Sequence, residues 1–355
     1  MSSKISCKPI NSVNKSRSSH RVTLKDVAEK AGVSAITVSR VVNDFTGVRE
    51  NVRKKVAAAI NALGYIPNRS ASILASSRSN LIAVLIPSLS NVVFNEVLRG
   101  IYDIAGPADY QVLLADTHYS PIEEEQAIRT LLGQSPAGVI ITGGEQTKIA
   151  KTLLKASGVP IIQIMDKVAA PIDLNVGFSH FEAGAAVAQA FLAQSYQKIG
   201  FIGTRMDPRT CDRLAGFKSV LSAAQCLHLK RIVTNPQPSS VAMGATLFKE
   251  LMAATEGNCD AVFCCNDDLA LGALYQCKKM NISVPEKFGV FGFNNIEMAE
   301  YAEPSLSSVN VNRYQMGHQA MELILGRLNN QEPSIEVQAN YINIGFELLM
   351  RKSTR

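Results

Sequence analysis

The chain has 355 residues, 46% of them hydrophobic, with a formal net charge of +6. That length implies two or three folded units with ample material for a large core, and no apolar run reaches the roughly 18 residues that a membrane-spanning helix needs. The charge is uneven: residues 1–80 carry 14 Lys and Arg against 4 Asp and Glu, and the other 275 carry 22 against 26. A basic head on a mildly acidic body is the footprint of phosphate binding.

Residues 1–20 are rich in Ser, Lys and Asn and lack an apolar segment. This excludes a secretory signal and predicts a disordered basic arm. A headpiece is expected over 21–66. Its first part is VTLKDVAEKAGVSAITVSRVVND, Val22 to Asp44. Leu24, Val27, Ala28 and Ala31 repeat at i, i+3, i+4, i+7 and make one apolar helical face. Thr23 caps that helix with Asp26 as a capping-box partner, and Gly32 ends it. Ser34 caps a second helix, which turns Val38, Val41 and Val42 inward and leaves Ala35, Ile36, Ser39 and Arg40 outside. Two helices around a Gly-containing turn form a helix-turn-helix, whose second helix enters a major groove of double-stranded DNA. A third helix is expected from about Asn51 to Leu63, with Val52, Val56, Ala59, Ile60 and Leu63 closing the headpiece core, and Gly64 ends it.

The wording VTLKDVAEKAGVS, TVSRVVN and ALGYIPN resembles the headpiece of the LacI/GalR family of bacterial repressors, and the similarity extends over about residues 21–350. IPNR, LIPSL, VFNEVLRG and RMDPRT are similar to the gluconate-operon repressors within that family. The resemblance implies DNA contacts from Thr23, Ser34, Ala35, Ile36, Thr37, Ser39, Arg40, Asn43 and Asn68. It also implies a hinge helix over 67–79 that forms on DNA, with Leu74 as an apolar wedge in the minor groove. Two departures stand out. Arg49 occupies a place where relatives carry a Ser or Thr cap, which weakens the third helix's start. Ser72 stands where relatives commonly have Arg.

From Leu81 onward, apolar strands alternate with amphipathic helices. Strands are expected at 81–87, 110–116, 137–143, 159–165, 198–203, 230–234, 261–266 and 288–293. Helices are expected at 92–105, 122–132, 146–156, 181–194, 213–224, 241–253, 269–280 and 313–328. This alternation implies parallel sheets wound by right-handed crossovers. The fold class is therefore α/β, and the resemblance implies two Rossmann-like subdomains of the periplasmic-binding-protein type within 80–355. It places chain crossings near 177–180, 308 and 338. The N-subdomain would then hold about 80–178 and 309–337, and the C-subdomain about 179–308 and 338–355.

Chemistry for catalysis is absent from the sequence. There is no GxSxG elbow, P-loop, HExxH or GxGxxG, so neither an enzyme nor a cofactor is expected. The seven cysteines have no framework spacing; Cys264 and Cys265 are adjacent on one strand, point to opposite faces, and read as packing rather than a metal pair. A reducing cytoplasmic compartment fits. Glu123, Glu124 and Glu125 at a helix start read as a solvated acidic face.

Ligands of open α/β sheets bind beyond the carboxyl ends of the strands. There the sequence carries Asp166, Phe178, Asn266, Asp267, Asn294 and the segment RMDPRTCDR. In sugar-responsive relatives an Asp after the GF strand and an Arg before the LAGF segment hold sugar hydroxyls. Here the Arg is Arg213, the Asp position is Asn294, and Arg205 and Arg209 are added. Loss of a carboxylate and gain of guanidinium groups favours an anionic effector; the resemblance implies a sugar acid such as gluconate, with phosphorylated sugars as the rival and neutral hexoses a weaker one. Phe94 and Phe178 would cover its apolar face. The expected function is a transcriptional regulator of carbohydrate catabolism. The alternative is a stand-alone sugar-binding protein, which shares the body fold but calls for a signal peptide and no basic head. One headpiece covers too little groove for high specificity, so a homodimer on a palindromic operator is expected, with helix 92–105 on the contact side. Residues 347–355, ELLMRKSTR, do not read as a tetramerising heptad helix, so a dimer is the expected state.

Overall fold

The computed structural model describes residues 22–42, 45–66, 79–330 and 340–355. The chain divides into two compact units, Met1–Ser77 and Arg78–Arg355. Asn43, Asn68, Leu74, Ser72, the arm and most of the hinge lie outside the described residues.

In the first unit, α1 (Leu24–Ala31), α2 (Ala35–Val42) and α3 (Glu50–Leu63) enclose a small core of Val27, Ala28, Val38, Val56, Ala59 and Tyr65. Both halves of the capping box form at α1: the Asp26 N–H donates to Thr23 Oγ1, and the Thr23 N–H donates to Asp26 Oδ2 at 2.7 Å. Gly32 takes φ 66°, where a side chain is strained, and turns the chain toward α2. Ser34 Oγ accepts the Thr37 N–H at 3.2 Å and so caps α2. Arg49 gives α3 no side-chain cap. Instead the Arg53 guanidinium donates to the carbonyl oxygens of Phe45 and Val48, tying the loop before α3 to the helix itself.

The second unit contains two six-stranded sheets. The first consists of β1 (Leu81–Ile86), β2 (Gln111–Asp116), β3 (Gly138–Thr142), β4 (Ile161–Asp166), β5 (Leu174–Phe178) and β11 (Tyr341–Asn343) in the order β11-β5-β4-β3-β1-β2, all parallel. Its period-two pattern is plain in β1. Ile82, Val84 and Ile86 join Val97 and Ile101 of α4 (Val93–Ala105) on one face. Ala83 and Leu85 join Ile128 of α5 (Pro121–Leu132) and Leu154 of α6 (Lys148–Ala156) on the other. Both faces are covered, as parallel sheets require.

The second sheet runs β12-β10-β9-β8-β6-β7, with β6 (Ile199–Thr204), β7 (Ile232–Asn235), β8 (Ala261–Cys264), β9 (Gly289–Phe293), β10 (Ser307–Asn310) and β12 (Glu347–Leu349). Its helices are α7 (His180–Ala193), α8 (Pro208–Ala223), α9 (Val241–Ala254), α10 (Asp267–Lys279) and the short α11 (Glu297–Tyr301). Phe201, Phe217, Phe263 and Phe293 form a chain of rings at centroid spacings of 5.5–6.5 Å in this core. Cys264 and Cys265 are both buried within it.

The chain passes between subdomains three times. The first passage is at Ser179, between β5 and α7. The second is at Val311–Asn312, between β10 and α12 (Arg313–Leu328), which packs on α4 and the first sheet. The third is at Ile344–Phe346, later than the expected 338, because β11 pairs with β5 before the chain leaves. Residues 341–343 therefore belong to the first sheet, not to the C-subdomain. β12 then returns without a helix and pairs antiparallel with β10. The strands β5, β10, β11 and β12 are absent from the sequence reading. β10, β11 and β12 span three or four residues each, and Ser307 and Ser308 of β10 are buried through hydrogen bonds to Ser353 and Asp267 rather than by apolar side chains.

Candidate functional site

On α2, Ile36 is 67% exposed and Arg40 is exposed, whereas Val38 is fully buried. The Arg40 guanidinium lies 5.6 Å from the centroid of the Phe45 ring. Ala35, expected outside, is half-buried against the headpiece core; Thr37 and Ser39 are also half-buried. A single helix turn thus presents one long apolar and one cationic side chain side by side, four residues apart.

In the second unit the strand order reverses between β1 and β3 and again between β6 and β8. Such switch points open crevices beyond the strand ends. One cavity of about 320 Å³ joins the two, lined by segments after β1, β2, β6, β7, β8 and β9. Phe94, Arg205, Arg209, Arg213, Asn266 and Asn294 all line it, and so do Tyr119, Asp207, Asp267 and Asp268. Its rim is rich in left-handed backbone at non-glycine residues: His118 and Tyr119, Arg205 and Met206, Asn294 and Asn295 come in consecutive pairs with φ from 48° to 103°. Strain of this kind persists only where the surroundings over-determine it, and it clusters at binding sites.

Two expected residues sit elsewhere. Phe178 is 1% exposed and lies in the core, stacked on Phe293 at 6.2 Å and tilted against His180 at 4.3 Å; it does not reach the cavity. Asp166, at the end of β4, is engaged by Arg209 at 3.5 Å. Its other oxygen lies 3.1 Å from His180 Nε2 without an aligned hydrogen bond.

The three arginines differ in their surroundings. α8 begins at Pro208, not 213, with Asp207 as its cap accepting the Thr210 N–H at 2.9 Å. Arg209 and Arg213 are therefore one turn apart on a helix, and only Arg205 remains in the loop. Arg209 is buried and pairs with Asp207 at 3.4 Å as well as with Asp166. Burial opposes its charge, yet Asp166, Asp207 and Glu145 outweigh burial and hold its proton more firmly than usual. Burial raises Asp166, partly offset by Arg209. Burial also pushes Asp207 up, but Arg209 and the Thr210 amide outweigh it and keep that carboxyl below its ordinary range.

Arg213 donates Nε–H to His180 Nδ1 at 3.1 Å and Nη1–H to the Cys265 carbonyl, and its guanidinium stacks 3.6 Å from the Phe293 ring centroid. Burial and the adjacent Arg213 and Arg209 charges drive the His180 pKa well below its ordinary value, so His180 is neutral. α7 and α8 approach so closely here that a Cβ on Gly184 would collide with the Arg213 carbonyl, and one on Gly216 with that of Phe181. Arg205, by contrast, has no ion pair or hydrogen bond from its side chain among the described residues. Its guanidinium lies over the Tyr119 ring at 3.9 Å from the centroid.

The amides differ as well. Asn266 Oδ1 caps α10 by accepting the Leu269 N–H at 3.1 Å, and its Nδ2 donates to Ser239 Oγ at 2.6 Å. The Asn294 side chain makes no such bond among the described residues. Carboxylates also line the cavity wall. Asp268 lines it with burial raising its pKa. Asp267 is fully buried and pushed up to about 7 by burial, although the Ser308 hydroxyl and Ile296 N–H favour its charge.

Residues 23–68 match the signature of bacterial regulatory proteins of the lacI family, and residues 188–354 match a periplasmic binding protein-like domain. The chain is 40% identical over 339 residues to the HTH-type transcriptional regulator GntR of Pseudomonas aeruginosa, covering 95% of this chain and 97% of the relative. The chain belongs to the LacI family of bacterial transcriptional regulators. GntR of Escherichia coli is 34% identical over 328 residues, covering 92% of this LacI-family chain and 97% of the relative. A LacI-family regulator from Silicibacter pomeroyi superposes with a TM-score of 0.87 at 36% identity, covering 94% of this chain and 100% of that one. The lac repressor dimer bound to operator and the anti-inducer ONPF superposes with a TM-score of 0.78 at 27% identity, covering 94% and 99%. These relatives are DNA-binding regulators, not enzymes.

Tyr119 and Asp268 on the cavity wall of this LacI-family regulator, and His180 behind it, escaped sequence reading, and Asp207 was reached only as part of RMDPRTCDR. Glu124 is a correction. It is buried rather than solvated, accepts the Gln146 amide at 3.3 Å, and is pushed up to about 7 by burial. The available signal was its helical phase: Glu124 and Ile128 share the buried stripe of α5.

Proposed function

We propose that this regulator represses carbohydrate catabolism genes and that a sugar acid such as gluconate, held in the cavity, controls its binding to DNA. The observation that carries this reading is the cavity itself. It lies beyond the strand ends of both sheets, and three guanidinium groups from one nine-residue stretch line it together with the Asn294 amide. Guanidinium forks match carboxylates, and amides and carboxylates bond hydroxyls. A polyhydroxylated carboxylate supplies both kinds of partner. The names of the two GntR relatives support the same class.

On the DNA side, Arg40 is proposed to bond a guanine edge and Ile36 to contact a thymine methyl. Thr23, Ser34, Ala35, Thr37, Ser39, Asn43 and Asn68 are proposed as the remaining head contacts, with Leu74 as the minor-groove wedge. A homodimer on a palindromic operator completes the reading, supported by the dimeric lac repressor as a structural relative. Titration calorimetry with gluconate, a second aldonate, a sugar phosphate and glucose tests the effector. Gluconate or the second aldonate should bind tightest. Glucose binding as tightly as either acid, or the sugar phosphate binding tighter than both, would overturn the sugar-acid reading.

A further inference from the structure

The three arginines of the cavity are not equivalent, and their partners sort them. Arg209 comes from α8 of the C-subdomain, but one of its carboxylates, Asp166, ends β4 of the N-subdomain. Glu145 stands on the same N-subdomain side: a Cβ on Gly143 would meet carboxylate oxygens of both Glu145 and Asp166. With Asp207 added, three carboxylates surround one buried guanidinium. The Arg209 fork is thus engaged by the protein's own carboxylates before any ligand arrives. Arg213 is also committed, to a carbonyl, a ring nitrogen and an aromatic face.

Arg205 is the contrast. It is half-buried and lines the cavity, and its only side-chain partner among the described residues is the Tyr119 ring. A ring face attracts a cation but leaves the fork's N–H edges open to an acceptor. Its backbone is fixed: Arg205 and Met206 are consecutively left-handed, and the Arg205 N–H donates to the Asn235 carbonyl at 2.9 Å. Tyr119 is fixed too, since its hydroxyl accepts the Asn91 amide at 3.0 Å. Tyr119 belongs to the N-subdomain and Arg205 to the C-subdomain, so the pair also spans the cleft. Among the described cavity residues, Asn294, Asp268 and Thr210 also have side chains without a hydrogen bond or ion pair.

Resting on the sugar-acid reading above, we propose a division of labour. Arg205, aligned by Tyr119, receives the ligand's carboxylate and selects an acid over its neutral polyol. Arg209 is a latch between subdomains that positions the cavity walls without reading the ligand's charge. The hydroxyl chain then lies toward Asn294 and Asp268.

The test is calorimetry of the full chain with gluconate and with glucitol, the same carbon chain bearing a hydroxymethyl group in place of the carboxylate. The wild-type chain should prefer gluconate by about 10- to 100-fold, the range expected for one charge-assisted pair. Arg205→Gln should abolish that preference, and Arg205→Lys should restore part of it. Arg209→Gln and Asp166→Asn should weaken both ligands alike and keep the preference. Their double variant should lose less than the sum of the two singles, because both disrupt the Arg209–Asp166 pair. Arg205→Gln retaining the preference, or Arg209→Gln abolishing it, overturns the assignment. A wild-type chain that binds neither ligand instead overturns the sugar-acid reading, and this assignment with it.

Discussion

Within the head, the outward-facing residues of α2 all fall within eight consecutive positions. The body's cavity draws on side chains as far apart in the chain as Ser88 and Ile296. The two regions also treat charge differently. No charged side chain is buried among the described residues of the head, whereas the body buries Glu124, Arg209, Arg213 and Asp267. A surface that reads another molecule's edges needs only one rigid element with the right face outward. A cavity that encloses a small molecule needs several strand ends brought together, and the ionisable groups there lose water as the walls close. The difference teaches that local pattern suffices for the first kind of site, while the second is created by topology.

The largest test of this contrast is on the body's buried charge. Asp267 is fully buried, and its carboxyl is raised from 3.8 to about 7. A raised carboxyl binds its proton more tightly when folded. Its contribution to stability is therefore most favourable below pH 4 and is lost as pH rises toward 7, by an upper bound on the order of 4 kcal/mol. Asp267→Asn keeps an acceptor for the Ile296 N–H, reverses the Ser308 bond so that the amide donates to the hydroxyl oxygen, and should flatten this part of the denaturant-derived stability curve between pH 4 and 7. An unchanged slope would mean that the carboxylate is solvated in solution and the contrast in charge burial is overstated.

An intermediate effect is expected in the head. Arg40→Ala should weaken binding to the specific DNA site by roughly 1–3 kcal/mol while leaving random DNA less affected and ligand binding in the body unchanged. Mobility shifts on both DNAs check it. Equal losses on the two would make Arg40 a backbone contact and remove base reading from α2.

The smallest effect is at the cap. Thr23→Ala removes the hydroxyl that accepts the Asp26 N–H and should cost about 1 kcal/mol, read as a lower melting midpoint of the head in helical circular dichroism. A midpoint unmoved by the change would show that α1 is held by its packed face alone, without the local device its sequence carries.

Much of the fold was legible because its signals are periodic. The helices at 92–105, 241–253 and 313–328 end within a residue or so of their expected limits, since apolar positions repeating at 3.6 and caps such as Ser240 and Asn312 are local facts. The first strand of each sheet was equally clear from runs of Ile, Leu, Val and Phe interrupted only by Ala83 in β1 and by Gly200 and Gly203 in β6. Illegible were β5, β10, β11 and β12, the start of α8, and the partners of the cavity's acids. In RMDPRTCDR, Pro208 reads as a break, but at the first turn of a helix its missing N–H costs nothing. Asp207 then becomes the cap, and Arg209 turns from a loop cation into a buried, doubly paired one.

What the sequence by itself determined is therefore the main helices and the central strands, the outward placing of Ile36 and Arg40 on α2, and the presence of arginines after β6. Those follow from spacing along one chain segment. Only the tertiary structure decided which arginine is free. That choice depends on Asp166, forty-three residues before Arg209, on Tyr119 beneath Arg205, and on the Cys265 carbonyl beside Arg213. Charge in a cavity is set by distances between groups that are remote in sequence, and Coulomb energy in a partly dry site changes severalfold over a few ångströms. No period in the sequence encodes those distances; the crossing of strands does.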